Sequence, residues 1–151
     1  MTLHERIGQE IKAAMLAKNA DRLSALRMLK SAAGYLQIEK KVEVLSDADY
    51  VALVQKEIKK RQDSAEQFEK GGRAELAVKE RAEQLVLEEF LPKQMTPAEL
   101  EALVQQVIQE TGATSKKQMG VVMKGVQAKA AGRADGKTIS ELVGRLLPAG
   151  N

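Results

Sequence analysis

Two carboxylates stand where an apolar side chain would be expected. Glu80 and Glu83 interrupt the row Leu76, Glu80, Glu83, Leu87, Phe90, whose three- and four-residue steps mark the core-facing side of a helix. Two carboxyls held in apolar surroundings can divide the work of general acid and base. The same row has a structural answer, because Arg61 lies in line with Val54, Ile58, Ala65 and Phe68 on the preceding helical stretch. A lone charge in an apolar row is prohibitively costly to bury. An ion pair between Arg61 and Glu80 or Glu83 answers both rows. No nucleophile or metal ligand stands beside the carboxylates, so the pair is read as structural.

The remaining catalytic inventory is short. His4 is the only histidine and falls in the first turn of a helix, where a solvated side chain is expected rather than a general base. With no cysteine and no second histidine, disulfides and transition-metal sites of usual composition are excluded. No GxxxxGK[ST] loop and no GxGxxG pattern supports nucleotide binding. The turn Gly71–Gly72–Arg73 could offer backbone N–H groups to an anion, but it serves equally to end one helix and start the next. No catalytic residue, cofactor or metal is expected.

Charge points elsewhere. From Thr114 onward there are seven Lys or Arg against two acids, a local +5 in a chain of net +3, so the preceding residues sum to −2. A local excess of this kind suits a polyanionic partner. Lys116, Lys117, Lys124, Lys129, Arg133 and Lys137 are the candidate phosphate contacts, several of them close to the loop AAGRADGK. Aromatic residues are 3% of the chain and the basic segment has none, so RNA would be held by shape and backbone rather than by base stacking. The stripe Met119, Val122, Met123, Val126 is read as a packing face, with a groove for a partner's helix as the alternative.

The elements that must position these residues are helical throughout. Capping-box spacing recurs at Thr2–Glu5, Thr96–Glu99, Ser115–Gln118 and Thr138–Glu141, and Pro97 suits a first helical position. Ser46 or Asp47 caps a further helix, and Asn19 or Asp21 another. Apolar stripes run through Leu3, Ile7, Ile11, Met15 and through Leu23, Leu26, Leu29, Ala33, Leu36. The only strand-like alternation, Val42–Val44, is too short to count. The predicted fold is all-α and multihelical. An N-terminal antiparallel helical domain over 1–92 is followed, past LPKQMTP, by a small three-helix domain over 96–151, with helices at Pro97–Thr111, Lys116–Ala131 and Ile139–Leu147. No apolar run reaches the roughly 18 residues of a membrane span, and the N-terminus puts acids where a secretory signal needs an apolar stretch. A soluble cytoplasmic protein is expected.

Several ordered segments resemble the GatB/YqeY family: LRMLKSA, KRQDSAEQFEKGGRAELA, FLPKQMT, MGVVMK and GRADGKTISELV. The similarity runs along essentially the whole chain. Gln118 departs from the pattern, which has an aspartate before the Met-Gly pair. The resemblance implies a two-part all-helical fold. It also implies kinship with the tail domain of the B subunit of glutamyl-/aspartyl-tRNA amidotransferase, an appendage that contacts tRNA apart from the catalytic core. The partners it implies are tRNA and an amidotransferase or aminoacyl-tRNA complex. The label it brings is carbon–nitrogen ligase with glutamine as amido-N-donor. The residues offer no constellation for that chemistry, so the expectation is a tRNA-binding module without catalysis.

Overall fold

The structure is a computed structural model that describes residues 1–149. It is all-α, with seven α-helices, one 3-10 turn and no strand among the described residues. These form two compact units, Met1–Leu91 and a second that begins at Pro92.

The first unit holds α1 (Leu3–Leu16), α2 (Ala20–Lys40), α3 (Asp47–Lys70) and α4 (Ala74–Glu88). Thr2 completes a reciprocal cap: its hydroxyl accepts from Glu5 N–H at 3.1 Å, and the Glu5 carboxylate accepts from Thr2 N–H at 3.0 Å. Asn19 and Ser46 cap α2 and α3. Asp47 instead accepts from Leu3 N–H at 2.9 Å, which ties the start of α1 to the start of α3. Helix α3 stops at Gly71–Gly72, where Gly72 has φ +73° and Arg73 N–H returns to the Phe68 carbonyl at 2.7 Å. The core joins Ile7 and Ile11 to Leu26, Leu29, Val54, Ile58, Leu87 and Phe90.

The α1 stripe departs from its expected register. Met15 is 52% exposed and Ala14 takes the buried place. Each four-residue step overshoots a 3.6-residue turn by about 40°, so a row of such steps leaves the core by its fourth member. Phe68, Leu23 and Leu36 join their rows by three-residue steps, which fall short of a full turn by about 60°, and are half-buried. Val42–Val44 lies in the turn between α2 and α3 and pairs with no strand.

The second unit holds α5 (Pro97–Thr111), a 3-10 turn (Lys116–Gln118), α6 (Met119–Ala130) and α7 (Gly136–Leu146). Val104, Val107, Val122, Val126, Ile139 and Val143 fill its core. The expected single helix from Lys116 is divided, because Ser115 caps a 3-10 turn and the Gln118 side chain reaches back to Thr114 N–H at 2.7 Å. Helix α7 starts earlier than the expected Ile139. Asp135, not Thr138, is the cap and accepts from Thr138 N–H at 2.6 Å. A carboxylate gains more than a hydroxyl from the positive end of the helix dipole. Helices α5 and α6 approach closely at Gly125, where an added Cβ would meet Val107 Cγ1 at 2.8 Å.

Candidate nucleic-acid interface and buried charge cluster

The first unit gathers a charge cluster between α3 and α4. Arg61 is buried, with only 7% of its side chain exposed. Its Nε lies 3.1 Å from Glu83 and 3.7 Å from Glu80, and its Nη1 lies 3.7 Å from Glu57. Glu57 and Glu83 are equally buried, while Glu80 keeps some contact with solvent. Three carboxylates thus share one guanidinium. Lys60 adds a second cation at 3.3 Å from Glu57, and Ser24 donates to Glu83 at 3.4 Å. The 3.1 Å approach is within ion-pair reach but out of line for a hydrogen bond, and Nε of Arg61 and Oε2 of Glu80 are sealed from solvent without one. The arrangement holds helices together by charge. Glu57 is the member that sequence reasoning missed, although its four-residue spacing to Arg61 on one helix was the available signal.

His4 is exposed, with Nδ1 3.0 Å from the Tyr50 hydroxyl. Burial raises the Tyr50 hydroxyl above its ordinary pKa. Arg22 bridges Glu10 at 2.7 Å and Glu89 at 2.6 Å, and the hydrogen bond it donates to Glu89, then that to Glu10, raises its pKa. Among the described residues no cluster of His, Asp and Glu could hold a metal ion.

The basic candidates all belong to the second unit and divide by partner. Residues 92–151 carry eight Lys or Arg against five acids, whereas residues 1–91 carry sixteen of each, so the molecule's surplus charge belongs to the second unit. Lys129, on the side of α6 turned to α5, pairs with Glu110 at 2.8 Å. That hydrogen bond, with a smaller one from Gln106, holds the Glu110 carboxyl below its ordinary pKa. Arg133 pairs with Glu99 at 3.3 Å and donates to the Lys93 carbonyl at 2.9 Å. Met95 N–H returns to the Arg133 carbonyl at 2.8 Å, and Gln94 donates to the Gly132 carbonyl. Arg133 therefore stitches residues 93–95 to the α6–α7 loop. Lys116, Lys124 and Lys137 are exposed and have no carboxylate partner among the described residues, and Lys117 is exposed beside them in sequence. All four aromatic residues of the chain precede Pro92.

The stripe Met119, Val122, Met123, Val126 is a packing face. Val122 and Val126 are fully buried and both methionines pack on the same core. Helices α5 and α7 pack against α6 on this face and cover Val122 and Val126, while Met119 and Met123 remain half-buried.

A model of the Yqey-like protein family matches residues 4–147. The chain belongs to that family. A similar protein is an uncharacterized one from Schizosaccharomyces pombe, 33% identical over 87 residues, which make up 58% of this chain and 70% of the relative. The Yqey-like match spans both helical units and so includes the charge cluster around Arg61 and the lysines of the second unit.

Proposed function

We propose that this Yqey-like protein is a non-catalytic, cytoplasmic tRNA-binding module that grips the RNA by its phosphate backbone through the second unit. The observation that carries the reading is the trio Lys116, Lys124 and Lys137, exposed and without carboxylate partners among the described residues, in the unit that has the whole charge surplus. Unpaired ammonium groups meet phosphates without first giving up a bond. Lys129 and Arg133 must exchange Glu110 and Glu99 for phosphate, so their contribution is smaller. The lack of any aromatic residue after Pro92 supports contact with backbone rather than with stacked bases. The resemblance to the amidotransferase tail supports tRNA as the RNA in question. Catalysis stays outside this reading because Glu57, Glu80 and Glu83 are committed to Arg61 and Lys60. No described helix is long and apolar enough to cross a membrane.

Three to six phosphate contacts give log Kd a slope of roughly 3 to 5 against log salt. A gel-shift titration of tRNA and of an unstructured RNA of equal length, repeated at several salt concentrations, tests this. The expected result is tighter binding of tRNA, that slope, and a clear loss when Lys116, Lys124 and Lys137 are changed together to Gln. Equal binding of the two RNAs, or none, overturns the tRNA reading. A lysine triple variant that binds as well as the parent moves the site elsewhere.

A further inference from the structure

The chain has six methionines and no cysteine, so its sulfur chemistry with oxidants falls to thioethers alone. Among the described contacts, Met28 on α2 is the methionine whose sulfur meets a cation. The buried guanidinium of Arg61 has Nε sealed without a hydrogen bond and Nη1 no closer than 3.7 Å to Glu57. Its Nη2 donates to Met28 Sδ at 3.3 Å. A thioether is a weak acceptor, and a cation held out of water gains most from a strong one. Met28 is also open to solvent: it is 48% exposed and lines a groove of about 380 Å³ between α2 and α3. A small oxidant reaches this side chain without unfolding the helices. The other methionines offer no such setting. Met95, Met119 and Met123 pack against the apolar core of the second unit, and Met1 and Met15 are exposed, so that an oxygen added there meets water.

We propose that Met28 is a reversible oxidation site for hydroperoxides, and that Arg61 holds the sulfoxide it becomes. A sulfur lone pair attacks the outer peroxide oxygen, and the S–O bond forms as the O–O bond breaks. The proton passes to the departing oxygen, which leaves as water or an alcohol. Sulfur loses two electrons and the peroxide gains two. The new oxygen is a strong acceptor without net charge. It serves Arg61 without adding a fourth carboxylate to Glu57, Glu80 and Glu83. The three rotatable bonds of methionine let the oxygen turn towards Nη2. Oxidation disrupts packed methionines in general, but here it exchanges a weak bond between α2 and α3 for a charge-assisted one. In a sulfoxide reductase, two thiols close to a disulfide, take the oxygen off as water and restore the thioether. The site belongs to the first unit and does not depend on the role of the lysines in the second.

The test treats the full chain with dilute hydrogen peroxide, follows each methionine by peptide mass mapping and melts the product by circular dichroism. Met28 should gain its oxygen before the half-buried Met95, Met119 and Met123. The melting temperature should then rise by roughly 4–8 °C, the scale of one improved hydrogen bond to a charge in a unit of this size. Treatment with a sulfoxide reductase should reverse the rise. Met28→Leu, a change at a half-exposed position that the fold tolerates, still oxidises at Met1 and Met15 and should show no rise. In a 15N-resolved NMR spectrum the side-chain N–H signals of Arg61 should move on oxidation of the parent. An unchanged or lowered melting temperature at full Met28 oxidation overturns the proposal, as does a rise that persists in Met28→Leu. Oxidation of Met28 no sooner than of the half-buried methionines overturns it too, and so do Arg61 signals that stay in place.

Discussion

Replacing Arg61 by Met tests the charge cluster at nearly constant volume. The guanidinium is the shared counter-charge of Glu57, Glu80 and Glu83, two of which are as buried as it is. Without it, Glu57 keeps only Lys60, and Glu83 keeps only the long bond from Ser24. Breaking a buried pair by removing one partner costs about 3–5 kcal/mol, mostly because the other charge is stranded. In a unit of this size each 1 kcal/mol moves the melting temperature by roughly 4–8 °C, so the midpoint should fall by upwards of about 12 °C. Thermal circular dichroism at neutral pH reads this directly. Lys59→Ala, at an exposed neighbouring position, should stay within about 0.5 kcal/mol of the parent. Adding Glu83→Leu to Arg61→Met should recover part of the loss, since an apolar replacement leaves one charge fewer stranded. A melting temperature for Arg61→Met within about 2 °C of the parent, a small fraction of the shift expected from the buried pair, would refute the reasoning. Arg61 would then become a candidate RNA contact.

Other outcomes follow from the same geometry. Gly125→Ala forces a methyl against the buried Val107 and should cost about 1–3 kcal/mol, whereas Gly8→Ala, with open space at its Cβ, should stabilise by about 0.5–1 kcal/mol; urea midpoints compare the two. Glu110→Gln releases Lys129 and should tighten tRNA binding by filter assay, while the parent and Glu110→Gln should bind alike if Lys129 touches no phosphate. A carboxylate with a lowered folded pKa adds stability above its unfolded pKa and loses it as pH falls through the folded value. The stability difference between the parent and Lys129→Ala should therefore be present at pH 7 and vanish well below the ordinary glutamate value of 4.5, as followed by urea unfolding at each pH.

The sequence carried the helices because their signals are local. Thr2, Asn19, Ser46 and Thr96 each cap where a hydroxyl or amide precedes an apolar period, and the Pro97–Thr111 helix has the expected bounds. Boundaries slipped where two local signals competed, as at Asp135 against Thr138, or where a side chain closed its own turn, as at Gln118. Long-range pairing was less legible. Rows of apolar spacing placed Arg61, Glu80 and Glu83 on facing helices, and Glu57, off those rows, was signalled only by its four-residue spacing to Arg61. A count of lysines could not show that Lys129 and Arg133 are held by Glu110 and Glu99 on α5, since those acids are distant in sequence.

The turn from Gly71 to Arg73 has a consequence for how the chain comes apart and goes back together. Helix α4 starts there without a side-chain cap, and Lys70, Gly71, Gly72 and Arg73 are all exposed. Exposed tips of this kind are where proteases nick first, and a trypsin-like enzyme finds cleavage points after Lys70 and after Arg73. The cut divides the charge cluster between two fragments: Glu57 and Arg61 remain on α3, Glu80 and Glu83 on α4. The α3 fragment keeps Arg61 and Lys60 for Glu57, but the α4 fragment loses the guanidinium that faces Glu80 and Glu83. The nicked halves should stay clasped and, made separately, should reassemble as complementary fragments, with charge matching across α3 and α4 selecting the correct mate.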